Sequence, residues 1–149
     1  MKDNKKTETL TERQPNNRFD LQKRFINYAV RIIKVSESLP ETKTGRHICS
    51  QILRSGTSPA PNYGEAQSAE SKADFIHKLK IALKELRETE TWLKIIIRAE
   101  LLQASKLSLV LLETDELISI LFKSIQTAQE KKQEYWRFYL GIGYSLFNG

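Results

Sequence analysis

Seven side chains between Phe75 and Ile96 are spaced by alternating steps of four and three: Phe75, Leu79, Ala82, Leu86, Thr89, Leu93 and Ile96. A chain places such a series on one side only by winding into a helix, since 3.6 residues per turn brings positions three and four apart onto one face. No proline or glycine interrupts the segment from about Ser71 to Ala99. The seam predicts coiled-coil-like packing against other helices, as in a bundle.

Three further segments repeat the pattern. Leu21, Phe25, Tyr28, Ala29, Ile32, Ser36 and Leu39 predict a first helix from about Phe19, with Asp20 placed to cap its start and Pro40 to stop it. A second begins near Thr44, runs through Ile48, Ile52 and Leu53, and meets Pro59 and Pro61. Each proline removes a helical hydrogen bond and crowds the preceding turn, so this helix must kink or break there. Leu107, Leu111, Thr114, Ile118, Leu121, Ile125 and Ala128 define a last helix from about Lys106 to Lys132. No segment has the alternation of a strand. The connections near 40–43 and 101–105 are short, which predicts an all-α, antiparallel up-down-up-down four-helix bundle with a Pro-kinked second helix.

The bundle is expected over residues 19–133. Before it, residues 1–18 hold one leucine and one methionine against eight charged side chains, the composition of a flexible polar tail. After it, residues 134–149 form an aromatic extension whose rings call for a cover, either on the bundle itself or on a partner.

Lys and Arg number 24 against 18 Asp and Glu, a formal charge of +6 that favours anionic partners. The single cysteine, Cys49, cannot close an internal disulfide, and with two histidines it is too little for a four-ligand zinc site. No apolar run approaches the ~20 residues of a membrane span, and the first residues lack an apolar signal-peptide core. The expected location is the cytoplasm, with no membrane association and no cofactor.

The stretches FDLQKRF, SLPETKTGRHICSQILRSGTSPAPNYGEAQSAES and DFIHKLKIALKELRETETWL, which together span most of Phe19 to Leu102, closely resemble one family. It is the family of small bacterial four-helix-bundle proteins first noticed as reading frames in intervening sequences of 23S ribosomal RNA genes. Its fold is shared by the accessory variability determinant protein of diversity-generating retroelements, a basic pentameric ring that works beside a reverse transcriptase. The resemblance therefore implies a homo-oligomer, with five as the subunit number, and a reverse transcriptase or another protein as a partner. The ending after Glu134 lies outside the pattern.

The densest part of that pattern, Arg54 to Ala66, has its own physical reading. Small side chains at Ser55, Gly56, Thr57, Ser58 and Ala60 permit close helix approach where two prolines bend the chain. Asn62 and Glu65 are candidates to bond backbone groups freed by the prolines, and Arg54 to pair with a carboxylate.

Catalytic constellations are sparse. A di-metal bundle site needs a Glu-x-x-His motif on two helices, and only Asp74-x-x-His77 comes near. His47 and Cys49 project roughly 200° apart on a helix, which excludes a base and nucleophile pair. The chain is expected not to be an enzyme.

Two surfaces remain. With Leu79 as the centre of the seam, Lys80, Lys84, Arg87, Lys94 and Arg98 fall between about 60° and 140°, a flank ~27 Å long that could follow phosphates. Its bland counterpart is a solvated face neutralised by Glu88, Glu90 and other acids. Ile81, Trp92 and Ile95 fall at about 160° to about 220° on the same wheel, and a monomeric bundle is expected to leave them wet. On the last helix Leu109, Leu112 and Ile120 likewise point away from the core. Apolar residues on both faces of two helices predict a subunit interface. The function expected is a non-catalytic, homo-oligomeric scaffold whose basic surface engages RNA, DNA or a nucleic-acid enzyme; the alternative is a protein-interaction module that binds no nucleic acid.

Overall fold

A computed structural model describes the backbone of residues 17–147 and the side chains of residues 21–131. The chain is all helical over the described residues: α1 (Asn17–Glu37), α2 (Lys43–Thr57), α3 (Pro59–Gln67), α4 (Lys72–Arg98) and α5 (Ala104–Phe147). α3 continues α2 through Ser58, which keeps right-handed helical dihedrals (φ −62°, ψ −34°), so α2 and α3 are the two arms of the bent second helix. No described helix is long and apolar enough to cross a membrane.

The ends of the helices follow local chemistry. α1 starts at Asn17, so Asp20 sits inside its first turn and does not cap it as expected. α2 is capped by Thr42, whose hydroxyl accepts from the Gly45 N–H at 3.0 Å. Gly45 is required there, because a Cβ would stand 1.8 Å from the Pro40 carbonyl oxygen. Ser71 caps α4 by accepting from the Asp74 N–H at 3.1 Å. At the far end of α4 the Leu101 N–H donates to Ile96 O and the Glu100 N–H to Ile97 O, each at 3.1 Å, which is the Schellman closure. Glu100 supplies its left-handed residue at φ +55°, a place that glycine usually takes.

At the bend, Pro59 occupies the first turn of α3 and removes the helical donor to Ser55 O, while the bonds from Ser58 N–H to Arg54 O and from Asn62 N–H to Ser58 O carry the helix across. The Asn62 side-chain amide reaches back to Ser58 O and Ser58 Oγ, both at 2.9 Å; Ser58 O already accepts the Asn62 N–H, so this is not one of the carbonyls freed by the prolines that Asn62 was expected to bond. Glu65 instead turns outward to Lys78 on α4 at 2.5 Å, and the pairing raises the Lys78 ammonium pKa. Gly56 faces Ile32, and Phe25 and Tyr63 stack with ring centres 5.0 Å apart, so α1 lies along both arms of the bend.

The core seam of α4 is as expected: Leu79, Ala82, Leu86, Thr89, Leu93 and Ile96 are buried and Phe75 is half-buried. The buried hydroxyls of Ser36, Ser55, Thr89 and Thr114 each have a partner, while Gln22 Oε1 is buried without one. Thr89 Oγ1 lies 2.9 Å from Ser55 Oγ and 2.8 Å from Glu85 O. Tyr28 meets Thr114 at 2.8 Å, and Thr114 donates onward to Val110 O. Arg24 grips Glu113 through two bonds of 3.0 and 3.1 Å and reaches Glu116 at 2.8 Å, ties that raise its own pKa and fasten α1 to α5.

Three further expectations need correction. Leu53 is 38% exposed and leaves the seam of α2 to Ile48, Ile52, Ser55 and Gly56. On α5 the buried face includes Val110 and Leu117 beside the expected seam, because α5 covers α1 as well as α4. α5 also runs beyond Lys132 to Phe147 without a break at the start of the aromatic segment. The side chains of that 134–149 extension lie outside the described residues, as does the expected 1–18 tail apart from the backbone of Asn17 and Arg18.

Candidate nucleic-acid interface

α4 has a neighbour on each flank. One flank carries Lys78, Glu85, Glu88 and Trp92, at roughly 180° to 260° from Leu79 by helical geometry. These meet Glu65, Arg54 and His47 of α2 and α3. The other flank, at roughly 0° to 60°, buries or half-buries Ile76, Leu83 and Ile97, and α5 covers it. The expected basic residues stand on the outer edge of this second flank. Lys80, Lys84, Arg87, Lys94 and Arg98 are all exposed.

What decides their character is where the acids go. Arg54 draws Glu85 at 3.1 Å and Glu88 at closer range, toward α2 and away from the stripe. Trp92 Nε1 donates to the same Glu88 at 3.3 Å. Glu90 takes Lys94 at 2.7 Å, an i,i+4 pair. Lys80, Lys84, Arg87 and Arg98 have no ion-pair partner among the described residues. The neutralised face weighed against the stripe is thus present at one position of five, and Arg54 has the carboxylate partners foreseen for it.

The three residues assigned to a subunit interface separate. Ile95 is 38% exposed. Trp92 is half-buried against the core, with its ring 6.1 Å from His47 in an edge-on arrangement, and Ile81 is half-buried too. A monomer therefore does not leave all three wet. The buried arc of α4 is wide and centred between Leu86 and Leu79, so the directions of Ile81 and Trp92, about 200° to about 220°, belong to a covered flank. Only the direction of Ile95, about 160°, is open. On α5 the reading holds for Leu109 and Leu112, 72% and 57% exposed, while Ile120 is half-buried. The sequence reading passed over Ile26, Val30 and Ile33 of α1, which are 49%, 44% and 37% exposed, and Phe122 of α5, 53% exposed. Extending the helical wheel to α1 would have found the first three, whereas Phe122 lies at about 60° from Leu107, beside the expected seam, and gives no such signal.

Among the described residues no three of His, Cys, Asp and Glu group as metal ligands. Cys49 is half-buried against the core, His47 faces Trp92, and His77 is exposed.

The sequence pattern of the 23S rRNA-intervening sequence protein family matches residues 17–123, from the first residue of α1 into α5 past Phe122. The chain belongs to this family. The match contains the bend, the whole of α4 and its basic flank, and it ends before the aromatic extension. A solved structure is similar: a protein of unknown function from the S23 ribosomal protein family of Bacteroides thetaiotaomicron. It is 38% identical, with a TM-score of 0.67 over 70% of this chain and 97% of that one. No curated protein matches the chain. Family and fold thus agree with the resemblance read from the three sequence stretches.

Proposed function

We propose that this member of the 23S rRNA-intervening sequence protein family is a non-catalytic, homo-oligomeric helical scaffold whose α4 flank holds a nucleic-acid backbone. The observation that carries the reading is the segregation of charge around α4. Glu85 and Glu88 are turned to Arg54, while Lys80, Lys84, Arg87 and Arg98 are exposed and unpaired among the described residues. Cations without internal partners are free to exchange counterions for phosphates. The exposed Leu109, Leu112 and Ile95 support self-association, and five subunits is the number implied by the resemblance.

Fluorescence anisotropy with labelled RNA and DNA tests the reading. Four free cations at about 0.7 released counterions each give a slope of about −3 for log affinity against log salt on single strands. Replacing Lys80, Lys84 and Arg87 together by Gln leaves one of the four and should bring the slope to about −0.7. The control replaces Lys2, Lys5 and Lys6, which removes the same charge from the tail. Equal loss in both variants would reduce the effect to net charge. Absence of binding at low salt would favour a module that binds protein alone, with the same exposed leucines as its contact.

A further inference from the structure

Phe122 lies next to this flank. α4 ends at Arg98 and α5 starts at Ala104, which as antiparallel neighbours brings Phe75 level with about Thr127, and both residues line one pocket between the two helices. Since they join through the short turn at 99–103, five residues forward from Phe75 correspond to about five backward from Thr127, which brings Lys80 level with Phe122. Around α5, Glu113 and Glu116 mark the side that meets α1, through Arg24. With Leu107 as zero these lie at about 240° and about 180° by helical geometry. Phe122 lies at about 60°, beside the half-buried Leu111 and Ile118 on the α4 side. Phe122 is therefore a 53% exposed ring at the α4–α5 edge, with the free ammonium of Lys80 at its level and those of Lys84 and the Arg87 guanidinium one and two turns along. The exposed Leu109 and Leu112 sit at about 200° and about 140°, on a different face of α5.

We infer that Phe122 makes the basic flank of α4 a site for single-stranded nucleic acid, with a base stacked on its ring and the adjoining phosphates held by Lys80, Lys84 and Arg87. The inference rests on the proposed function and narrows its ligand. A duplex presents phosphates to the same cations but keeps its base faces stacked inside, so an exposed ring beside a basic row contributes only to binding an unpaired strand. Stacking on an aromatic side chain tolerates any base, which fits a flank that offers cations and no array of side-chain amides.

The test compares the full chain with Phe122→Leu and Phe122→Trp on short oligouridylate, oligothymidylate, a matched duplex and an abasic strand, after circular dichroism shows equal helicity. Loss of one stacked base lowers affinity about 5- to 150-fold on truncation. Phe122→Leu should weaken both single strands by at least about fivefold, leave the duplex unchanged and erase the preference for bases over the abasic strand; Phe122→Trp should restore it. RNA and DNA arms tell which strand is preferred. Unchanged single-strand affinity in Phe122→Leu, or equal loss on the duplex, overturns the inference. If that happens while the Lys80, Lys84 and Arg87 variant still loses binding, only the stacking falls. If the unmodified chain binds neither strand at low salt, the proposed function falls with it.

Discussion

Replacing Gly56 by Ala puts the close approach of α1 to the bend under direct test. The added Cβ would lie 2.5 Å from Ile32 Cγ2, 2.8 Å from Cγ1 and 3.0 Å from Cβ, against an ordinary carbon contact of roughly 3.5 to 4 Å. Ile32 cannot step aside: it is fully buried, and a β-branched side chain in a helix is held to one rotamer. Helix α1 must give way by about an ångström, and such overpacking costs about 1 to 3 kcal/mol. Against this stands a gain of up to ~1 kcal/mol for Ala over Gly in a helix, reduced because Gly56 is in the last turn of α2. The net expectation is a loss of about 1 to 2 kcal/mol. Ile32→Ala alone should lose about 2 to 5 kcal/mol by leaving a cavity. In the double variant the new methyl enters the space that the isoleucine vacated, so the losses should fall short of their sum by at least about 1 kcal/mol. Urea unfolding followed by circular dichroism, with all variants at one chain concentration, measures all three. A Gly56→Ala chain as stable as the parent, or strictly additive losses, would refute the close approach.

Three other outcomes follow from single features. Glu100→Gly should raise stability by about 1 kcal/mol in thermal or urea unfolding, because the Schellman closure keeps its two hydrogen bonds and loses the left-handed penalty of a side chain. Burial raises the Tyr28 phenol pKa, so its neutral form belongs to the fold; the stability it contributes is complete below the unfolded value of about 10 and is lost as pH rises beyond it. Tyr28→Phe should flatten the decline of stability above about pH 10 while costing about 1 kcal/mol at neutral pH for the bond to Thr114. Finally, Leu109→Glu with Leu112→Glu should yield smaller species of unchanged helicity by light scattering, and a parent chain that is already monomeric would defeat the assembly reading.

The parts legible from sequence were those that obey periodicity. The seven-position seam of α4 and the Pro-directed bend are strong local signals, and both are in the structure. The basic flank was legible as a stripe, since long charged side chains off the seam reach solvent. Its lack of partners was not, because Arg54 is more than thirty residues from Glu85 and Glu88 in sequence and only the fold brings them together. Trp92 was misplaced for a related reason: one helix seen alone gives the direction of a side chain and no information about which flank a neighbour covers. Leu53 failed because the small residues Ser55 and Gly56, and not the larger leucine, make the tight contact. The end of α4 was legible at about Ala99, where the helix is capped, but its left-handed closure gave no signal because the residue at positive φ is a glutamate.

The bend and the basic flank form one device. Close approach at the bend depends on small side chains: Gly56 admits Ile32 of α1, and Ser55 meets Thr89 of α4 at 2.9 Å. Arg54, adjacent to both, is thereby held against α4 at the level of Glu85 and Glu88. Those two carboxylates lie within a Debye length of Arg87, about 10 Å at moderate salt, and unpaired they would lower the positive potential over the stripe. With Arg54 between them, their field is offset locally and α4 presents acids to one neighbour and bases to solvent. Under the proposed function, the small residues that shape the bend thus also set the affinity of a surface they do not touch.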